Sequence, residues 1–154
     1  MTTKIHLVCD RGGIPLAVDV FAGQHQESTY VDALLAQVRV PAQRGRPRCR
    51  PRYLVADKGY DSQALRQRLR KRGIRPVIPL RAVPKHKRRR QRGPRPKLDE
   101  KRYGQRNMVE RLIGWLKEQR RLATRYEKTA DQFLAMVKLA CIRRIMKSYF
   151  SDTA

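Results

Sequence analysis

The stretch Tyr103-Gly-Gln-Arg-Asn-Met-Val-Glu-Arg-Leu-Ile-Gly-Trp-Leu-Lys117 is the most informative part of this sequence. On a helix that turns about 100° per residue, five of its residues fall within roughly 80° of one another. These are Tyr103, Arg106, Glu110, Gly114 and Lys117. The opposite face is apolar and carries Met108, Leu112, Trp115 and Leu116. The stretch therefore predicts a helix that anchors its apolar face on a core and holds one carboxylate among two cations and a phenol.

Two interpretations of this polar face are open at this point. A solvated helix surface often carries opposite charges three or four residues apart, and such pairs need no function. A functional site needs acidic partners elsewhere in the chain. In both interpretations Gly114 leaves the face open beside Glu110.

The charge of the chain indicates its class of partner. The 154 residues include 37 Lys and Arg against 13 Asp and Glu, which gives a net charge of +24. This length and an apolar content of 40% are enough for one domain with a core. An excess of cations on a folding chain indicates a polyanionic partner, most simply nucleic acid. We therefore expect a single domain over residues 1–154 that binds DNA.

The spacing of the cysteines and the length of the apolar segments indicate in which cellular compartment the protein resides. Cys9, Cys49 and Cys141 are far apart and include no Cys-x-x-Cys pair, which favours reduced thiols over a metal site. No run approaches the roughly 18 apolar residues that a membrane span needs. We therefore expect a cytoplasmic protein with no membrane partner, associated with the nucleoid when it binds DNA.

The first part of the chain predicts a β-hairpin. Apolar and polar residues alternate over residues 4–9 and again over 14–21, and a turn with two glycines joins the two segments. Asp10 stands at the mouth of this turn, where an aspartate caps backbone amides, so a structural role is favoured over a catalytic one. Helical spacing then extends from Ser28 to Val38.

Residues 53–56 predict a buried strand that ends at Asp57. A continuous apolar strand is typical of a sheet covered on both faces. In α/β folds, groups at the carboxyl ends of such strands point into the ligand crevice. Asp57 is therefore a candidate site residue, with a plain loop position as the alternative. We expect Asp61 or Ser62 to cap the next helix, Gly73 to end it, and a short strand to follow over residues 75–79.

Two basic segments connect the predicted elements. Residues 39–52 contain six arginines, three prolines and no acid, and residues 81–102 contain 11 Lys and Arg. Such segments cannot bury themselves and are expected to be exposed. A charge run can be merely solvated, but between two ordered elements it is expected to close on a phosphate backbone.

Asp57 and Glu110, 53 residues later, together predict a Mg²⁺ site. Hard divalent cations prefer carboxylate oxygens. Two such ions about 4 Å apart activate water or a 3′-hydroxyl and stabilise the leaving oxygen during in-line attack on a phosphodiester. Arg106 and Lys117 would then hold DNA phosphates.

The sequence resembles the DDE transposases of bacterial insertion sequences. The resemblance is to the IS-four and IS-five-like group, marked by Tyr, two residues, Arg, three residues, Glu, six residues and Lys. Tyr103, Arg106, Glu110 and Lys117 match this spacing at every position. Residues 56–61 resemble the segment around the second acidic residue of the group, and residues 2–16 resemble its second and third strands. The resemblance implies an α/β, RNase H-like fold.

The resemblance also implies roles for individual residues. Asp57 and Glu110 correspond to the second and third acidic metal ligands, with Mg²⁺ as the cofactor. Tyr103, Arg106 and Lys117 correspond to residues that handle DNA. We expect the neighbouring cations of the loop after Asp57 and of the second basic segment to contact DNA as well: Lys58, Lys87, Arg88, Arg89 and Arg90.

The first catalytic Asp of the family lies on a central strand before the hairpin, whereas this sequence begins at the hairpin. Asp10 lies in the turn and Asp19 lies within a strand, so neither replaces that residue. We therefore expect an incomplete catalytic domain, the C-terminal part of a transposase. It would act together with an upstream portion of the transposase. Two copies of the chain are also expected to form a homodimer. The alternatives are an inactive remnant that only binds DNA and a general basic nucleic-acid-binding protein.

Overall fold

The computed structural model describes residues 3–24, 27–81 and 97–150, which form a mixed α/β structure. The strands are β1 Thr3–Cys9, β2 Pro15–Ala22, β3 Tyr53–Val55 and β4 Arg75–Val77. The helices are α1 Glu27–Gln37, α2 Gln63–Lys71, α3 Glu100–Tyr103, α4 Asn107–Glu118, α5 Arg120–Thr124 and α6 Ala130–Phe150. The chain divides into two compact units: unit 1 comprises Met1–Arg50 and Asn107–Ala154, and unit 2 comprises Pro51–Arg106. The predicted α/β class is confirmed.

In unit 1, β1 and β2 form the predicted antiparallel hairpin. The Asp10 carboxylate accepts hydrogen bonds from the backbone N–H groups of Gly12 (2.9 Å) and Ile14 (2.8 Å). Gly13 has a φ of 78°, a left-handed conformation that favours glycine. Both the hairpin and the structural role of Asp10 are therefore confirmed.

One face of the hairpin forms the main core of unit 1. Ile5, Leu7 and Val20 pack against a buried cluster that the hairpin shares with α4, α5 and α6. Its members are Val18, Leu116, Leu122, Phe133, Val137, Ala140 and Cys141. The predicted apolar face of the central stretch is confirmed, because Leu112 and Leu116 are both buried.

The other face of the hairpin lies under α1. The rings of Phe21 and Tyr30 stack with centroids 3.7 Å apart, and the buried His6 ring meets Phe21 edge-on at 5.3 Å. Gln37, at the end of α1, donates a hydrogen bond to Asp19 (3.2 Å). The hairpin is thus covered on both faces, and the polar residues of its alternating pattern face α1.

In unit 2, β3 and β4 form a parallel pair joined by α2, which makes a β-α-β unit. Ser62 caps α2, since its hydroxyl accepts a hydrogen bond from the Leu65 N–H (3.5 Å). Gly73, with a φ of 72°, ends it as predicted. The strand β3 is only half-buried. The prediction of a fully buried strand is therefore wrong here, and among the described residues β4 is the strand that pairs with β3.

The sequence predicted one regular helix over the central stretch, and this prediction is wrong. It consists of α3, a 3₁₀ turn over Gly104–Arg106, and α4. Asp99 starts α3 by accepting a hydrogen bond from the Arg102 N–H (3.0 Å). Gly104 has low helix propensity and lies where the α-helical pattern stops. The division between the two units falls within this stretch, after Arg106.

The basic segments differ in how far the structure describes them. Most of residues 39–52 are exposed, and Val40 and Arg48 pair through two backbone hydrogen bonds of 2.9 and 2.8 Å. Residues 82–96 of the second segment lie outside the described residues. The predicted DNA contacts of Lys87, Arg88, Arg89 and Arg90 therefore stay predictions.

The core of unit 1 should depend on Leu116, which is 1% exposed. We expect Leu116→Ala to lower the free energy of unfolding by about 2–5 kcal/mol, because it removes buried methyl groups and leaves a cavity. Leu139→Ala on α6, where the side chain is 57% exposed, is the matched control and should change stability by less than about 1 kcal/mol. Urea titrations of both variants test this; equal effects would contradict the assigned core.

The three thiols should differ in reactivity. Burial raises the pKa of Cys141 to about 11, and burial together with the nearby Asp10 raises the pKa of Cys9 to about 11, whereas Cys49 is exposed. Iodoacetamide at neutral pH should therefore label Cys49 first. Because the folded pKa values exceed the reference of 9.0, the contribution of these thiols to stability is present below pH 9 and lost as the pH rises towards 11. Mass spectrometry of labelled peptides checks the order.

Candidate metal and nucleic-acid site

Asp57 follows the carboxyl end of β3, as the sequence predicted. Its Oδ1 accepts a hydrogen bond from the Lys58 N–H (2.7 Å), which caps a 3₁₀ turn over Lys58–Tyr60. Half of the side chain is exposed. Within the described part of the chain, its Oδ2 has no hydrogen-bond partner. Asp57 therefore offers one carboxylate oxygen to a ligand from solvent.

Unit 2 brings Asp57 together with two of the predicted DNA-handling residues. An Arg106 guanidinium nitrogen lies 4.0 Å from Asp57 Oδ1. The same guanidinium lies over the Tyr103 ring, with its carbon 5.5 Å from the ring centroid. The Arg106 guanidinium thus lies near both a carboxylate and a phenol ring, and its planar set of N–H donors suits a phosphate oxygen.

Asp61, only four residues after Asp57, has a structural role. The side chain of Arg66 is 7% exposed, and its nitrogens donate to Asp61 Oδ1 at 2.8 and 2.9 Å. Arg66 also donates to the Ile78 carbonyl (2.7 Å), and Asp61 Oδ2 accepts from the Arg81 N–H (2.6 Å). This network joins α2 to the segment after β4, so Asp61 is not available to a ligand.

Sequence reasoning missed a second cationic cluster in unit 2. The Arg102 guanidinium lies over the Tyr53 ring at 4.2 Å, and that of Arg75 lies 5.9 Å from the same ring. The backbone N–H of Arg102, followed by its side chain, holds the pKa of Asp99 below its usual range. No sequence signal links Tyr53 to these arginines, because they come from distant segments, β4 for Arg75 and α3 for Arg102, that only the folded unit brings together.

In unit 1, α4 carries the third predicted acid. Glu110, Gly114 and Lys117 are exposed, whereas Leu112 and Leu116 of the same helix are buried. The residues of α4 are therefore arranged as the helical spacing predicted. The structure thus presents two candidate half-sites, one with Asp57 in unit 2 and one with Glu110 in unit 1.

Within residues 3–24, 27–81 and 97–150, no group of three or more His, Cys, Asp or Glu side chains could hold a metal ion. None of the described helices is both long enough and apolar enough to cross a membrane.

Substitutions of Asp57 and Asp61 should differ in their effect on the stability of the fold. Asp61→Asn should lower the free energy of unfolding by at least about 2 kcal/mol, because it leaves the buried Arg66 without its anionic partner. Asp57→Asn should change it by less than about 0.5 kcal/mol, since Asn also caps backbone amides and the position is half exposed. Thermal unfolding compares the two variants, and a larger loss in Asp57→Asn would refute these assignments.

Comparison with protein families identifies the class. The family profile described as "Transposase DDE domain" matches residues 1–145, which is most of the chain. This chain belongs to the DDE transposase domain family.

Two relatives connect the chain to insertion sequences. It is 38% identical over 140 residues to an inferred transposase for insertion sequence element IS402 from Burkholderia cepacia. It is 30% identical over 141 residues to an inferred transposase for IS6501 from Brucella ovis. The match covers 90% of this chain and 60% of the first relative, and 92% of this chain and 95% of the second. No solved structure matches the chain.

Proposed function

We propose that this chain is the catalytic part of an insertion-sequence transposase with an RNase H-like fold. We assign it to the group whose signature corresponds to Tyr103, Arg106, Glu110 and Lys117. The chain would form one domain over residues 1–154 that contributes two acidic metal ligands to DNA phosphodiester cleavage and strand transfer, together with another portion of the transposase. One observation carries the proposal: in a chain that matches the transposase family over residues 1–145, Asp57 stands half exposed at the end of β3 with one oxygen available.

The donor chemistry of Asp57 and Glu110 suits Mg²⁺. Both are carboxylates, and both are exposed or half exposed rather than buried in the fold. We assign them as two acidic ligands of a Mg²⁺ site; such ions stabilise charge on a phosphodiester and lower the pKa of bound water. The further acidic ligand would come from another portion of the transposase.

The cations around these acids would position DNA. Arg106, which lies near Asp57 and the Tyr103 ring, would bind a phosphate oxygen and orient the strand. Lys117, two turns along α4 from Glu110, would bind another phosphate as a flexible point charge. Lys58 and the second basic segment would extend the contact. The net charge of +24 would supply the sequence-independent affinity.

The proposed partners follow from this role. They are the transposon ends, the target DNA, an upstream transposase portion that carries the remaining ligand, and a second copy of the chain. The proposed place of action is the cytoplasm, at the nucleoid. The chain spans 60% of the length of the IS402 relative and 95% of the IS6501 relative.

A gel-shift titration tests the DNA-binding part of the proposal. With about six phosphate contacts, affinity for duplex DNA should fall about 10³-fold between roughly 50 and 200 mM salt. Lys117→Ala should weaken binding and lower the slope of log affinity against log salt by about one. Lys138→Ala, which removes an exposed lysine of α6, is the matched control and should leave the slope unchanged. A stronger preference for RNA, with no effect of Lys117→Ala, would favour a general basic nucleic-acid-binding protein.

The alternative function is a transposase remnant that binds DNA without cutting it. An active transposase and a DNA-binding remnant differ in whether the chain, together with its upstream portion, cleaves DNA. We expect Mg²⁺-dependent strand cleavage that Glu110→Gln abolishes while DNA binding is retained. DNA binding without any cleavage in that complete assembly would identify the remnant.

A further inference from the structure

We propose that Gly114 forms a gap in the exposed surface of α4 through which the sugar-phosphate backbone of DNA approaches the helix beside Glu110. This inference rests on the proposed function and extends it. It assigns a positioning role to a residue that carries no functional group and lies outside the acidic and basic signature.

Gly114 lies within α4, with several helical residues on each side. Glycine weakens a helix interior relative to alanine, because it gains no side-chain contacts and loses more backbone freedom on folding. A glycine at such a position therefore needs a reason that offsets its effect on the helix.

The fold provides no such reason. In the described residues, the glycines with positive φ are Gly13, Gly45 and Gly73, so Gly114 does not need the conformational freedom of glycine. A Cβ built at Gly13 would lie 3.2 Å from the Met108 Cε, whereas a Cβ at Gly114 would have no atom of the described chain within 4 Å. Alanine would therefore fit at position 114 without strain or collision.

The neighbours of Gly114 on the helix surface are all charged and exposed. Glu110 and Arg111 lie one turn before it, and Lys117 and Glu118 lie one turn after it. Arg111 and Lys117 are on opposite sides of the gap, about 9 Å apart along the helix axis at 1.5 Å per residue. A phosphodiester strand that contacts both cations crosses directly over Gly114.

The charge of the chain favours DNA over a protein segment as the occupant. A net charge of +24 attracts a polyanion, and the proposed chemistry requires a phosphodiester to reach the Glu110 carboxylate. A side chain at position 114 would stand between the strand and the helix. The gap thus allows the strand to approach Glu110 more closely than any other residue type would permit.

A side-chain series at this position tests the inference, with gel shifts on a duplex of arbitrary sequence at fixed salt. Gly114→Leu should lower DNA affinity by at least about tenfold, which corresponds to about 1.4 kcal/mol. Gly114→Ala should melt about 3 °C higher than the wild type, because alanine favours the helix, and should bind DNA with intermediate affinity. Ala135→Leu, which adds the same bulk to an exposed position of α6, should leave DNA affinity within about twofold.

The outcomes separate this inference from the proposed function. If the wild type binds duplex DNA with the expected salt dependence and Gly114→Leu binds equally well, the inference is wrong and the proposed function stands. If the wild type does not bind duplex DNA, both are wrong. If Gly114→Leu changes the oligomeric state in gel filtration but not the DNA affinity, a protein surface occupies the gap, and the inference is also overturned.

Discussion

Repulsion among the cations is the constraint on which this structure depends. With 37 basic and 13 acidic residues, the fold uses several of its few carboxylates to hold the backbone. Asp10 closes the hairpin turn, Asp61 pairs with the buried Arg66, and Asp99 starts α3. Glu127, itself buried, accepts a hydrogen bond from Arg121 (2.8 Å). Asp57 caps a 3₁₀ turn with Oδ1 but is half exposed, and Glu110 is exposed on α4; the proposed function assigns both to a metal ion.

Each unit combines rigid support with an exposed functional residue. The parallel strands of unit 2 and the Asp61–Arg66 pair support the loop that carries Asp57. In unit 1, Leu116 belongs to the core under the hairpin, and this attachment fixes which side of α4 presents Glu110. Side chains held by packed elements keep their orientation, which a phosphoryl-transfer site requires. The same amphipathic pattern thus serves stability on one face of α4 and the proposed chemistry on the other.

Much of the local structure could be predicted because its causes are local. The turn chemistry of Asp10 and Gly13 predicted the hairpin, and Ser62 and Gly73 mark the ends of α2. The break of the central stretch at Gly104 and the half-exposed state of β3 were not predicted. Both depend on tertiary context. The spacing of apolar residues in the sequence continues through Gly104 without a break, and the apolar sequence of a strand does not show how much of the strand other elements cover.

The sequence by itself determined the family, which the profile match over residues 1–145 shows, and it suggested Asp57 and Glu110 as candidate acids, because motif spacing and net charge are properties of the chain. Only the tertiary structure showed that Asp61, a candidate helix cap in the sequence, instead pairs with a buried arginine, while Asp57 of the same loop stays half exposed. Arg66, a buried residue of α2, pairs with Asp61, whereas the side chain of Asp57 remains half exposed. The physical reason is desolvation: a buried guanidinium requires an anionic partner, and which carboxylate reaches it depends on how α2 packs against the segment after β4.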